Sequence, residues 1–297
     1  MNYDSPSEIR ATLDRLGLSP HKRWGQNFLV NPHARGRIVE LLDPQPEDTT
    51  WEIGPGLGCL TVLLLPTVRS LVAFELDWGL VRFLKGEIPP EAGLELVQGD
   101  VLKTWKGEWE RRGTPERVVG NLPYSSASAM IGDFAEAGLR PARMVFTVQR
   151  ELAQRMTAAP GSKAYSSFSV LIQVSYRVEA CLELKPGSFF PAPEVNSTVV
   201  LLAPQAEIRQ PRDRRLFLRL VRALFASRRK TLWNNLVAGG FAVGEDSSRL
   251  REVLAAEEID PQLRSETLMP QRFVRLADRL AGPGAESTGS SGFPAPP

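Results

Sequence analysis

The sequence predicts an α/β protein with a Rossmann-like sheet, followed by a small all-helical C-terminal domain. Three observations carry this. Between residues 49 and 148, short apolar β-type runs alternate with helix-type segments. The first of these runs leads into Gly54-Pro55-Gly56-Leu57-Gly58 and then a helix, which is a nucleotide-binding arrangement. Beyond residue 204 the strands stop and helical periodicity takes over.

Bulk properties narrow the class. The 297 residues are enough for one large domain and a small one. A hydrophobic content of 42% with 24% charged residues is that of a soluble globular protein. No apolar run reaches the roughly 18 residues of a membrane span. Met1–Arg10 is polar and lacks a signal-peptide core. The expected location is therefore the cytoplasm. Cys59 and Cys181 stand in unrelated contexts and His21 and His33 are the only histidines, so no disulfide framework and no metal site are expected. A net charge of +2 says little by itself; its distribution says more.

In chain order, residues 1–20 read as a polar, mobile N-terminal segment. Lys22-Arg23-Trp24-Gly25-Gln26-Asn27-Phe28-Leu29 is basic, aromatic and amide-rich, which fits a surface loop or a lid over a ligand. A helix follows near Pro32–Leu42. Thr49–Ile53 is the first strand, and Cys59–Leu65 a helix ended by Pro66. The glycine spacing is G-x-G-x-G; Cys59 stands where a dinucleotide fold would place its third glycine, which suits a ligand without phosphates. Ser70–Phe74 is a second strand ending at Glu75. An acid about 20 positions beyond the glycine turn, at the next strand end, accepts from ribose hydroxyls. Asp77 reads as the cap of the next helix. Leu94–Val97 is a third strand, and Asp100 just beyond it can accept from an adenine amino group or cap a helix.

Arg117–Gly120 is a fourth strand running into Asn121-Leu122-Pro123-Tyr124. Asn offers a carbonyl acceptor and an amide donor, Pro123 fixes the backbone, and Tyr124 adds a flat face. Together they suit a planar ligand with an exocyclic amine, such as adenine. Ser125–Ala137 reads as a helix, Met144–Val148 as strand five and Glu151–Ala158 as a helix, while Phe168–Tyr176 fits helix or strand. Val178–Leu184 and Ser197–Leu202 read as a strand pair joined by a proline-stiffened loop. In that loop Phe189 and Phe190 are either a hydrophobic plug or a stacking surface.

Residues 204–214 read as a linker. Segment 212–230 then carries eight basic residues, Arg212, Arg214, Arg215, Arg219, Arg222, Arg228, Arg229 and Lys230, against the single acid Asp213. Arg215, Arg219 and Arg222 share one helix face, and phosphate contact is expected of that face and of Arg228–Lys230. The Gly-, Ser- and Pro-rich tail, residues 282–297, is expected to be disordered.

The order of strand, glycine turn, two acidic strand ends and Asn-x-Pro-Tyr resembles the class I S-adenosylmethionine methyltransferases. Five motifs sharpen the match: Gly25-Gln26-Asn27-Phe28-Leu29, Glu52-Ile53-Gly54-Pro55-Gly56-Leu57-Gly58, Asn121–Tyr124, the Pro186…Phe189-x-Pro191-x-Pro193-x-Val195-x-Ser197 run, and Arg228-Arg229-Lys230-Thr231-Leu232. Together they resemble the KsgA/RsmA family, which dimethylates N6 of two adjacent adenosines in small-subunit (16S) rRNA. The resemblance runs from about Lys22 to about Leu280.

It implies a methyltransferase domain over residues 21–203 and a helical RNA-binding domain over 204–281. It implies S-adenosyl-L-methionine as cofactor, bound by Asn27, Leu29, Gly54, Gly56, Glu75, Asp100 and Asn121. Asn121, with the backbone carbonyls of Leu122 and Pro123, would take the N6 hydrogens and turn the nitrogen lone pair towards the methyl donor. Tyr124 and Phe189 would stack on the base, which must be unpaired or flipped out. The implied partner is small-subunit rRNA within an immature particle, met by a monomer. The sequence departs from the family pattern at Trp24, Ser125, Tyr165–Phe168 and Trp233. Two other readings compete: an Erm-like enzyme acting on large-subunit rRNA, and a non-catalytic ribosome assembly factor. Leu122 and the Arg-Arg-Lys-Thr-Leu run favour the small subunit over the first, and the intact Asn121–Tyr124 argues against the second.

Overall fold

The computed structural model describes residues 1–18, 26–242 and 246–282. Lys22–Gly25, with Trp24, and the tail beyond residue 282 lie outside the described residues.

The chain opens with helix α1 (Pro6–Arg15). This corrects the reading of residues 1–20 as mobile polar chain. Ser5 caps the helix by accepting from the Glu8 amide, Pro6 occupies its first turn, and Ile9 and Leu13 are buried. A four-residue apolar spacing with a capped start is enough to dock a short helix. Strand β1 (Phe28–Leu29) and helix α2 (Pro32–Leu42) follow. The nucleotide-binding alternation then runs β2 (Thr49–Ile53), α3 (Thr61–Leu64), β3 (Ser70–Glu75), α4 (Trp78–Glu87), β4 (Leu94–Gln98), α5 (Val101–Arg112), β5 (Arg117–Asn121), α6 (Ala127–Ala137), β6 (Arg143–Gln149) and α7 (Arg150–Met156). Residues 167–175 settle as helix α8 (Ser167–Ser175), opened by a capping box between Ser166 and Ser169. β7 (Tyr176–Leu184), β8 (Phe189–Phe190) and β9 (Ser197–Pro204) complete the strands.

Among the described residues the main sheet has seven strands in the order β4-β3-β2-β5-β6-β9-β7. Strands β2 to β6 pair in parallel, and β9 pairs antiparallel with both β6 and β7. After β2 the chain builds outward on one side through β3 and β4, then returns to build the other side from β5. The switch therefore falls between β2 and β5, and the crevice beyond their carboxyl ends is where such sheets bind ligands. There β2 leads into Gly54 and β5 ends at Asn121. A separate two-stranded ribbon pairs Phe28 with Phe190 and Leu29 with Phe189.

The C-terminal helices are α9 (Arg214–Leu224), α10 (Leu232–Ala238), α11 (Asp246–Ala256) and α12 (Pro270–Ala281). Asp213 caps α9, and Phe217, Leu220, Val221 and Leu224 form its buried face. These side chains join one apolar cluster that continues beneath the sheet to Trp51, Val118 and Phe146. Arg214 fastens α9 to the end of α6 by donating to the carbonyls of Ala135 and Glu136.

Candidate active site

One cavity opens at the switch point. Its wall includes Asn27 and Leu29, the turn Gly54–Gly56, Glu75, Asp100 and Asn121, so the seven expected cofactor residues come together from β1, β2, β3, β5 and the segment after β4. The glycine turn explains itself locally. Gly54 and Gly56 have φ of 68° and 60°, a region in which a side chain is strained. A Cβ on Gly56 would also stand 3.2 Å from the Phe28 ring. Gly120 is glycine for a second reason: a Cβ there would come within 2.6 Å of the Ile53 carbonyl. The small residues thus keep β2, β5 and β1 close around a backbone-lined cradle, which fits a ligand held by main-chain contact.

Two carboxylates frame this cradle. Glu75 is buried; one oxygen accepts from the Gly56 amide at 3.1 Å and the other from the Asp77 amide at 2.9 Å. It therefore holds the glycine turn to the end of β3, and burial raises its carboxyl against the pull of those amides. Each oxygen keeps a second lone pair for a ligand hydroxyl. Asp77 caps α4. Asp100 also caps a helix, α5, with Oδ1 accepting from the Leu102 amide at 3.0 Å, so capping and cavity lining occur together at this residue.

Glu52 is a member of the site that sequence reasoning left without a role. It lines the cavity, is 1% exposed, and accepts from the Thr61 hydroxyl at 2.7 Å. Burial pushes its carboxyl up to about 7; the Thr61 hydroxyl works against this and the Glu75 charge with it. An acid inside an apolar strand was the available signal. Burial likewise pushes the neighbouring Cys59 thiol up to about 12, so it stands as a neutral wall group.

Beyond the cavity lies the Asn-x-Pro-Tyr turn. The Asn121 amide nitrogen donates to the Asn27 carbonyl at 2.6 Å. This orients the side chain and leaves Oδ1 as its acceptor. The Leu122 amide donates to Thr147 at 3.1 Å, and no donor among the described residues takes the Leu122 carbonyl. The Pro123 carbonyl is different: it accepts from the Ser126 amide at 3.1 Å, the Ala127 amide at 3.0 Å and the Ser126 hydroxyl at 3.4 Å. Its expected role as a substrate acceptor is therefore corrected, because its lone pairs already open α6. Tyr124 is half-buried, with its hydroxyl 2.5 Å from that of Ser197. Burial raises the phenol, against the Ser197 contact.

Phe189 requires a second correction. Its ring is 4% exposed and packs with Leu29, Val145, Leu184 and Val199. A buried ring offers no free face to a base, so the plug reading holds in this structure. The basic segment also divides. Arg222 pairs with Glu136 at 2.7 Å, Arg228 with Glu266 at 2.7 Å, and Arg219 lies over the Phe241 ring at 4.6 Å. Arg215, Arg229 and Lys230 are exposed and make no such contact among the described residues. Three of the departures from the family pattern have structural uses. Tyr165 donates to the Leu268 carbonyl at 2.9 Å, Ser166 caps α8, and Trp233 packs beneath Arg251 at 4.5 Å.

Sheet order, glycine cradle and acidic strand ends define an α/β enzyme of the methyltransferase class. The chain belongs to the ribosomal RNA adenine dimethylase family, whose model matches residues 17–273. It is 38% identical over 279 residues to a ribosomal RNA small subunit methyltransferase A from Treponema denticola, covering 93% of this chain and 95% of that one. A protein of the same name from Pediococcus pentosaceus is 36% identical, with 94% and 96% covered. A dimethyladenosine transferase structure from Plasmodium falciparum shares the fold, with a TM-score of 0.65, 24% identity, and 83% and 94% covered. The 23S rRNA methyltransferase ErmE shares it equally, with a TM-score of 0.64, 23% identity, and 86% and 99% covered.

Proposed function

We propose that the protein dimethylates N6 of two adjacent adenosines near the 3′ end of small-subunit rRNA, within an immature particle. The observation that carries this reading is the orientation of Asn121: one Nδ2 hydrogen is donated to the Asn27 carbonyl, and Oδ1 remains as the side chain's acceptor for a ligand. An exocyclic amine is the complement of that acceptor together with the Leu122 carbonyl. Likeness to the 23S enzyme extends to fold alone, whereas the small-subunit enzymes match in sequence along nearly the whole chain.

Bound S-adenosyl-L-methionine supplies a methyl group on a positively charged sulfur. Glu75 accepts ribose hydroxyls, Asp100 the adenine amine, and the Gly54–Gly56 backbone lets the ligand approach closely. In the first transfer Asn121 Oδ1 and the Leu122 carbonyl take the two N6 hydrogens of the target and pull the nitrogen out of conjugation; in the second, one of these acceptors takes the single hydrogen that remains. Tyr124 holds the base by its face. These residues act by position and fixed dipoles. The proton leaves after transfer, so no base is needed at the moment of reaction. In this reading residues 21–203 carry the chemistry and 204–281 hold the rRNA. Arg215, Arg229 and Lys230 meet phosphates directly, and Arg219 and Arg222 lie at helical spacing from Arg215 along α9.

The test is methyl incorporation from labelled cofactor into three substrates: immature small subunits, protein-free small-subunit rRNA and large-subunit precursors. Strong labelling of the first, weak labelling of the second and none of the third is expected. Labelling confined to large-subunit rRNA overturns the assignment in favour of the Erm-like reading.

A further inference from the structure

Strand β1 forms one wall of the cofactor cavity, yet it is two residues long and, among the described residues, pairs with β8 alone. So short a ribbon is marginal by itself. The structure shows a second hold from behind. Arg35, in the first turn of α2, is 8% exposed. Its Nη1 donates to the Leu29 carbonyl at 3.2 Å and to the Tyr3 carbonyl at 3.4 Å, while Nη2 pairs with the Asp4 carboxylate. The guanidinium also lies 5.9 Å from the Tyr3 ring centre.

Helix α1 extends this hold. Ile9 and Leu13 pack in one cluster with Phe28, Val30, Leu57 and Leu80. Arg10 lies 5.3 Å from the ring of Phe190, the register partner of Phe28. The N-terminal residues thus touch both the wall made by β1 and the helix side of the glycine turn. Arg35 itself is not part of the cavity wall; whatever it does for a ligand passes through Leu29.

We infer that Arg35 is a positioning residue for cofactor binding: it fastens the N-terminal segment Tyr3–Asp4 to the back of β1 and so fixes the wall formed by residues 27–29. The inference rests on the reading of this cavity as the S-adenosyl-L-methionine site. The buried guanidinium is held by two carbonyls and one carboxylate. Removing Asp4 leaves the cation without its counter-charge and releases the segment. The wall must then be ordered by the ligand, at the expense of affinity. Once the cavity is saturated the wall is in place, and Asn121 works as before.

The experiment uses the full chain with S-adenosylhomocysteine as calorimetric probe, with steady-state kinetics on immature small subunits. The variants are Arg35→Gln and Asp4→Asn. Asp4 has a half-exposed side chain, so its variant keeps the test open if Arg35→Gln does not fold. Both should weaken probe binding and raise the cofactor KM on the order of tenfold, with kcat at saturating cofactor and the KM for the particle staying near the parent's. A parent that binds the probe beside an Asp4→Asn chain of unchanged affinity and KM overturns this inference alone. A fall in kcat at unchanged cofactor KM overturns it too. A parent that does not bind the probe overturns the cofactor reading and this inference with it.

Discussion

The Asn121 side-chain amide donates to the backbone carbonyl of Asn27 at 2.6 Å, and both residues line the cavity at the switch point. One contact joins the end of β5 to the segment that enters β1. It fixes the orientation of the Asn121 side-chain amide. Asn121→Ala removes both the acceptor and the tie. Methyl transfer should fall at least about a hundredfold, the scale of one lost transition-state contact, while the thermal transition stays close to the parent's. A variant that turns over at the parent rate removes Asn121 from the mechanism.

Tyr124 and Phe189 should separate in opposite ways. Phe189 is packed in the core, so Phe189→Ala should lose about 3–5 kcal/mol of stability, the cost of emptying a buried aromatic site. Tyr124→Ala should lose about 1–3 kcal/mol of productive substrate engagement, the stacking scale for a base, with a smaller change in stability. Denaturant unfolding and kcat/KM on the same preparations check both. A Phe189→Ala chain of parent stability but low kcat/KM returns that ring to the base site.

The cavity acid Glu52 predicts a pH dependence. Burial lifts its carboxyl from an ordinary 4.5 to about 7 in the fold. Between those values the native state binds more protons than the unfolded chain, so stability falls as pH rises. The loss should approach about 3 kcal/mol across that window and level off above it. Glu75, raised by burial as well, adds in the same direction. Glu52→Gln should flatten the slope and be the more stable chain at pH 8. Denaturant titrations of ligand-free protein from pH 5 to pH 8 decide; equal slopes in parent and variant contradict the assignment.

The exposed cations predict a salt effect. Reversing the charge of Arg215 and Arg229 together should weaken particle binding and lower its salt dependence by about one unit of slope per lost phosphate contact, leaving cofactor affinity unchanged. The pair Arg222 and Arg228 should show less, because Glu136 and Glu266 already neutralise them. Binding isotherms at several salt concentrations check this; identical slopes for parent and both double variants would remove the basic segment from the interface.

What was legible in the sequence was local. The glycine turn, the acid closing β3 and the Asn-x-Pro-Tyr end of β5 each lie within a few residues of the strand that positions them, so spacing alone located the crevice. The Ser5-Pro6-x-Glu8 start of α1 was also a local signal, hidden by the polarity of the segment around it. Other features depend on partners far along the chain. β1 and β8 are two residues each, too short for any periodicity, and their pairing joins residues 28–29 to 189–190. Burial of Phe189 follows from that pairing. The ion pairs of Arg222 and Arg228 involve Glu136 and Glu266, on other elements. The Pro123 carbonyl is taken up by the opening of α6, where the amides of Ser126 and Ala127 donate to it, a bond that the residue types around it do not signal.

Product identification decides whether the protein is a small-subunit rRNA adenine dimethyltransferase. Immature small subunits are incubated with the protein and S-adenosyl-L-methionine, the rRNA is digested, and its nucleosides are resolved by mass spectrometry. N6,N6-dimethyladenosine is expected at two adjacent positions near the 3′ end, absent when Asn121→Ala replaces the parent. Methylation of another base, or of large-subunit rRNA instead, would contradict it.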